Sequence, residues 1–343
     1  MNNRLGYIDA IRGFAMLLVV YGHVNFFSFK ITPFIGVITE SIQMPIFFFI
    51  SGYVVFKANA QYPFFKVVAK LWDKFKALII PATVVGLGYT YLILGKSAYD
   101  FSVEIMKYGY WFTFSLFTMN VIYLLTYWVV QKKRKVSLML TLSAVAMILW
   151  GIKYACVDNA IFLTLNKMIC LWHTFTHFPF FVLGVIVSMY RDEYERVVSS
   201  NGMINTILLA TFIMAFLVGE QLAALNVRLP IGGVLRLTIG FCGSLIALNF
   251  SSFYKTTLDN HVGRLLQFVG KRSLDIYLLH YFLLPDLTYA AKYVDTSSTV
   301  VGLAISGVIS ILIVIFSLCI GNIIRLSPVL ASFLLGVKYK KQS

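Results

Sequence analysis

The stretch Tyr7-Ile8-Asp9-Ala10-Ile11-Arg12-Gly13-Phe14-Ala15-Met16-Leu17-Leu18-Val19-Val20-Tyr21-Gly22-His23 reads as a helix surrounded by hydrocarbon, yet it carries Asp9, Arg12 and His23. Ionisable groups in that setting are costly and usually functional. At about 100° per residue, eleven steps bring His23 back to within roughly 20° of the Arg12 face, about 16 Å further along the axis. One face of this helix therefore carries a cation low and an imidazole high. Asp9 lies three residues before Arg12, and an i,i+3 pair between them would make burial of the guanidinium tolerable.

The rest of the chain supports a membrane setting. Of its 343 residues 59% are hydrophobic and 13% charged, with a mean hydropathy of +0.82. Soluble domains carry about a quarter charged residues. The first apolar run contains Arg12 and is followed by no small-residue cleavage site, so it reads as a retained helix and the chain is expected to begin near Met1. Cys156, Cys170, Cys242 and Cys319 lie mostly in apolar runs without CxxC spacing. They suggest neither disulfides nor zinc, and read as small apolar residues.

Windows of about 20 apolar residues suit a hydrocarbon core about 30 Å thick. Ten are found, near residues 8–28, 34–56, 77–95, 110–130, 137–154, 170–189, 204–224, 230–250, 272–290 and 299–322. The expected fold is therefore an all-α polytopic membrane protein of about ten transmembrane helices, forming one integral-membrane domain over 1–343. With both termini cytoplasmic, 20 of the 29 lysines and arginines fall on the inner side and seven on the other, Arg12 and Arg236 lying within helices. That asymmetry follows the positive-inside rule. The net charge of +15 is mostly this bias, and no aromatic-interleaved basic module suggests a nucleic acid.

Residues 64–76 place Phe64, Val67, Val68, Leu71, Trp72 and Phe75 at helical spacing, with Lys66, Lys70 and Lys74 on another face. This describes a basic amphipathic helix at the cytoplasmic interface, serving either lipid headgroups or the phosphates of a cytosolic donor. Pro45 in the second span removes a backbone donor and would bend that helix to open a cavity. Ser273, Tyr277 and His280, spaced by four and three, lie near one face of the ninth span. His173 and His177 have the i,i+4 spacing of a metal pair but no third ligand; packing or acceptor binding are the alternatives, and no metal is expected. His261 is expected to be solvated in a loop.

Asp9-Ala10-Ile11-Arg12-Gly13 with His23 after ten intervening residues, Met44-Pro45-Ile46-Phe47-Phe48-Phe49-Ile50-Ser51-Gly52, Trp111-Phe112, Phe178-Pro179-Phe180-Phe181-Val182-Leu183-Gly184 and Ser273-Leu274-Asp275-Ile276-Tyr277-Leu278-Leu279-His280 follow one another in this order. Over nearly its whole length the chain thereby resembles the integral-membrane acyltransferase family 3, close to fucose 4-O-acetylase-like sugar O-acetyltransferases. The resemblance implies a cytosolic acyl-CoA donor, acetyl-CoA by default, and a hydroxyl of a bacterial surface glycan or lipid-linked sugar as acceptor. It also implies the bacterial inner membrane, no tightly bound cofactor, and a catalytic first-helix histidine, here His23.

Two departures from the family pattern stand out. Two arginines three apart precede the proline of the third span in the family, whereas counting back from Pro81 gives Ala77 and Lys74. Lys76 or Lys70 would have to substitute, and lysine lacks the bidentate fork that suits a phosphate. Where many relatives carry histidine before the Met-Pro pair this chain has Gln43, which can hydrogen-bond an acceptor but not act as a base. Donor binding is thus expected at Arg12, Lys74 and Lys76. Acceptor binding or cavity lining is expected among Asp9, Gln43, Ser51, His177, Ser273, Tyr277 and His280. The rival is a secondary transporter or flippase for a glycan or lipid precursor, which would also place ionisable residues at mid-membrane; Arg12 and His23 have no counterpart in the other half, as an internal repeat would require.

Overall fold

A computed structural model describes residues 5–58, 60–131, 133–224, 231–253, 259–295 and 299–338. Within them the regular elements are helices: α1 (Gly6–His23), α2 (Phe34–Val55), α3 (Phe64–Leu92), α4 (Ala98–Val103), α5 (Trp111–Val130), α6 (Lys135–Ala155), α7 (Ala160–Ile169), α8 (Leu171–Met189), α9 (Arg191–Tyr194), α10 (Gly202–Ala224), α11 (Ile231–Phe253), α12 (His261–Lys271), α13 (Ser273–Leu279), α14 (Ala291–Asp295), α15 (Thr299–Ile324) and α16 (Pro328–Leu335). Among the described residues nine helices are long and apolar enough to cross a membrane: α1 with its continuation to Phe29, α2, α3, α5, α6, α8, α10, α11 and α15. The protein is an all-α polytopic membrane protein.

The span expected at 272–290 is not a long helix. It consists of α13, a 3-10 turn at His280–Leu283, a non-helical stretch, and a second short turn at Thr288–Ala290. Pro285 accounts for the break, because its ring disfavours the helical conformation of Leu284. Asp286 then accepts from the backbone N–H of Thr288 at 3.1 Å and from its hydroxyl at 2.8 Å, which holds a turn. Nor are residues 64–76 a separate interfacial helix. They are the first half of the 29-residue α3, whose length of about 43 Å exceeds the hydrocarbon core.

The chain divides into two compact units, Met1–Val54 with Leu183–Ser273 and Leu283–Phe316, and Val55–Val182 with Leu274–Phe282 and Ser317–Ser343. In the first unit α12 lies against α1 at a separation that only glycine permits. A Cβ on Gly13 would strike the backbone oxygen of Leu266, and one on Gly270 that of Asp9. Small residues let helix backbones approach in this way. The membrane window of α1 is 61% buried within the protein, against 11% for α10. The polar side chains of α1 are thereby mostly kept from lipid.

In the second unit a buried ammonium organises the loops around the short helices. Lys107 is 2% exposed, and its Nζ donates to the backbone oxygens of Phe101 and Ser102 at the end of α4 and of Lys167 near the end of α7. Cations are favoured at helix C-termini, where carbonyls lack partners. Asn159 caps α7 by accepting from the backbone N–H of Phe162 at 3.0 Å, and Cys170, at φ 56°, ends it. The sequence reading contained neither α7 nor α12.

Candidate active site

The first unit carries the residues expected at the heart of the chemistry. Asp9 is 2% exposed, and Arg12 reaches its Oδ1 from Nη1 at 3.5 Å, as the i,i+3 spacing predicts. His23 is the last residue of α1, half-buried, with its ring edge-on to Phe27 at 5.4 Å. Beyond it the helix does not stop but widens into a π-turn at Val24–Phe29, ended by Lys30 at φ 55°. Such turns insert a residue into the helical ladder and frequently mark functional sites.

Several buried polar atoms accompany this turn. Gln43 of α2 is 6% exposed and packs on Gly22, where a Cβ would lie 3.5 Å from its Oε1. That oxygen has no hydrogen-bond partner, nor does Nδ2 of Asn25 or Oγ of Ser28. Asn25 is oriented from its other end: Ser306 donates to its Oδ1 at 2.7 Å. Unpaired polar groups in so apolar a setting cost free energy, and between them these atoms offer both donors and an acceptor, the complement of a hydroxyl. Asn25, Ser28 and Ser306 were missed in the sequence, although polar residues inside otherwise apolar spans were the available signal. Ser51 spends its hydroxyl on the backbone oxygen of Phe47 at 2.8 Å, within its own helix.

Tyr7 and Tyr53 share a hydrogen bond of 3.0 Å between their hydroxyls. Over the Tyr7 ring lies the guanidinium of Arg191, 5.8 Å from the centroid, which also binds Glu195 at 3.0 Å.

The second unit holds most of the C-terminal motif. Tyr277 donates to the backbone oxygen of Gly109 at 2.8 Å, and His280 is fully buried with Nδ1 bonded to the backbone oxygen of Ile276 at 2.9 Å. A carbonyl only accepts, so the ring proton sits on Nδ1. Asp275, to which the sequence reading assigned no role, is gripped by Arg325 through three contacts of 2.7–3.0 Å. Ser273, at the start of α13, is half-buried and falls in the first unit.

His173 and His177 pack against Trp111, with centroids 4.3 and 5.5 Å away. Nδ1 of His177 bonds the backbone oxygen of His173 at 2.8 Å. No group of three or more metal-binding side chains occurs among the described residues. Lys74 and Lys76 lie exposed on α3 in the second unit, whereas Arg12 belongs to the first. Lys76 pairs with Asp73 at 3.3 Å, and Asp73 also receives Lys338 at 2.8 Å.

No curated protein and no solved structure matches the chain. A family profile described as an acyltransferase domain, that of acyltransferase family 3, matches residues 5–320. With that match spanning the helix of Asp9, Arg12 and His23 and the segment of Tyr277 and His280, the chain belongs to the integral-membrane acyltransferase family 3 and is a membrane acyltransferase.

Proposed function

We propose that this acyltransferase moves an acetyl group from acetyl-CoA to a hydroxyl of a surface glycan or lipid-linked sugar, in the inner membrane of a bacterium and with both chain termini cytoplasmic. The observation that carries this reading is the order of groups along α1: the Asp9–Arg12 pair, then His23, then a buried polar turn. A neutral imidazole at His23 takes the proton of the attacking hydroxyl as its oxygen adds to the thioester carbonyl. The tetrahedral intermediate then expels the CoA thiolate, which recovers that proton from the imidazolium. An acyl-histidine route would use the same side chain. Arg12, held by Asp9, binds the donor phosphates. Gln43, of the same unit as His23, contacts the acceptor hydroxyl.

The purified protein in detergent is expected to hydrolyse acetyl-CoA slowly, water standing in for the acceptor, and a strain lacking it should lose O-acetyl groups from its surface polysaccharide by mass spectrometry. Absence of thioester turnover together with an unchanged polysaccharide would refute the proposal.

A further inference from the structure

Eleven residues make α12 about 16 Å long, half of what a crossing needs. Its inward side, Gly263, Val269 and Gly270, is buried, and Gly270 rests on the backbone of Asp9. Its outward side is unusual for a surface between spans. Val262, Leu265 and Phe268, spaced three apart and therefore near one face, are 65%, 61% and 43% exposed. Beside them Arg264 and Lys271 are exposed, and the Arg272 guanidinium lies 5.9 Å from the Phe268 ring. No acidic residue occurs in the helix. At its start Asn260 accepts from the backbone N–H of Gly263 at 2.8 Å, so the helix is a capped element of its own.

An outward face that is apolar along one stripe and basic along the next matches the boundary between acyl chains and anionic headgroups. We propose that α12 lies flat in the headgroup layer of an anionic leaflet, with Leu265 and Phe268 dipping into the acyl region and Arg264 and Lys271 on lipid phosphates. A soluble partner would not favour so wide an apolar stripe with purely positive flanks, and a second copy of this face would repel it. Through the Gly13 and Gly270 contacts, the helix that bears Asp9 and Arg12 is seated on an element anchored in the bilayer surface. Neither location nor seating depends on the acyl donor.

The test uses the full chain reconstituted in phosphatidylcholine vesicles with and without phosphatidylglycerol, carrying Phe268→Trp or, should that variant fold poorly, Leu265→Trp. Emission in excess of the five native tryptophans is followed with lipids brominated at shallow or deep acyl positions. The expected result is quenching by shallow bromines at least about twofold stronger than by deep ones, as befits a helix buried about 5–10 Å. Adding Arg264→Gln with Lys271→Gln should weaken it in the anionic vesicles. Quenching strongest at the bilayer centre, or access to aqueous iodide equal to that of a free tryptophan, would overturn the proposal. Shielding from both iodide and bromolipid would also overturn it, since protein would then cover the face.

Discussion

The hydroxyl of Tyr277 donates to the backbone oxygen of Gly109 across 2.8 Å. The exchange is reciprocal, because Tyr110 donates to the backbone oxygen of Leu278 at 3.0 Å. Immediately before Tyr110 the chain runs through three successive residues with positive φ, Lys107 at 49°, Tyr108 at 48° and Gly109 at 102°. The first two lie where non-glycine residues are uncommon, and such strain persists only where the surroundings hold it. α13, with Tyr281 just beyond it, is that surrounding.

Gly109→Ala should therefore destabilise the protein strongly. A Cβ there would run into the ring of Tyr281, and alanine at this φ adds strain of about 1–3 kcal/mol. Tyr277→Phe should cost less, about 1–2 kcal/mol, by leaving a buried carbonyl without its donor. Thermal unfolding in detergent measures both; Gly109→Ala melting at the wild-type temperature would show that the loop does not depend on this close approach.

Asp275 and Arg325 should behave as a unit. Asp275 is 3% exposed at its side chain and Arg325 28%, and two guanidinium nitrogens are engaged. Removing one partner of a buried pair leaves an uncompensated charge and costs about 3 kcal/mol or more, so Arg325→Met is expected to be far worse than Arg325→Met combined with Asp275→Leu. Because Arg325 is partly solvated, its loss should cost toward the lower end. A double variant as unstable as the single one would refute this coupling.

What the sequence made legible was local or compositional. The Asp9–Arg12 pair follows from a spacing rule inside one helix, and most of the long spans follow from apolar length alone. Averaged hydropathy misled at 272–290, because it does not register that Pro285 and the Asp286 turn interrupt a run of apolar side chains. Lysine spacing at 64–76 likewise gave no sign that α3 would continue unbroken through Pro81. Non-local relations were invisible: Asp275 and Arg325 are 50 residues apart, and Gly13 reveals its purpose only when Gly270 is beside it. The unpaired atoms of Asn25, Ser28 and Gln43 emerge only once burial is known.

Arg12→Lys should impair donor use more than its preserved charge suggests. A planar guanidinium can serve Asp9 and a phosphate at once, whereas an ammonium is a point charge without the fork. Calorimetry with CoA and dephospho-CoA is the measurement. The expected outcome is a loss of affinity for both ligands; unchanged binding would remove Arg12 from the donor site.

His23→Ala is expected to abolish acyl transfer while leaving expression and unfolding temperature near those of the wild type. The side chain is half-buried at the end of α1, so truncating it removes less packing than truncating a core residue would. Loss of a general base typically lowers the rate about a hundredfold to ten-thousandfold. His23→Gln separates shape from proton transfer: it restores bulk and hydrogen bonding but cannot accept a proton at neutral pH. If both variants hydrolyse acetyl-CoA and O-acetylate the polysaccharide at the wild-type rate, the base lies elsewhere, and His280, buried with its Nδ1 proton fixed by Ile276, becomes the next residue to replace.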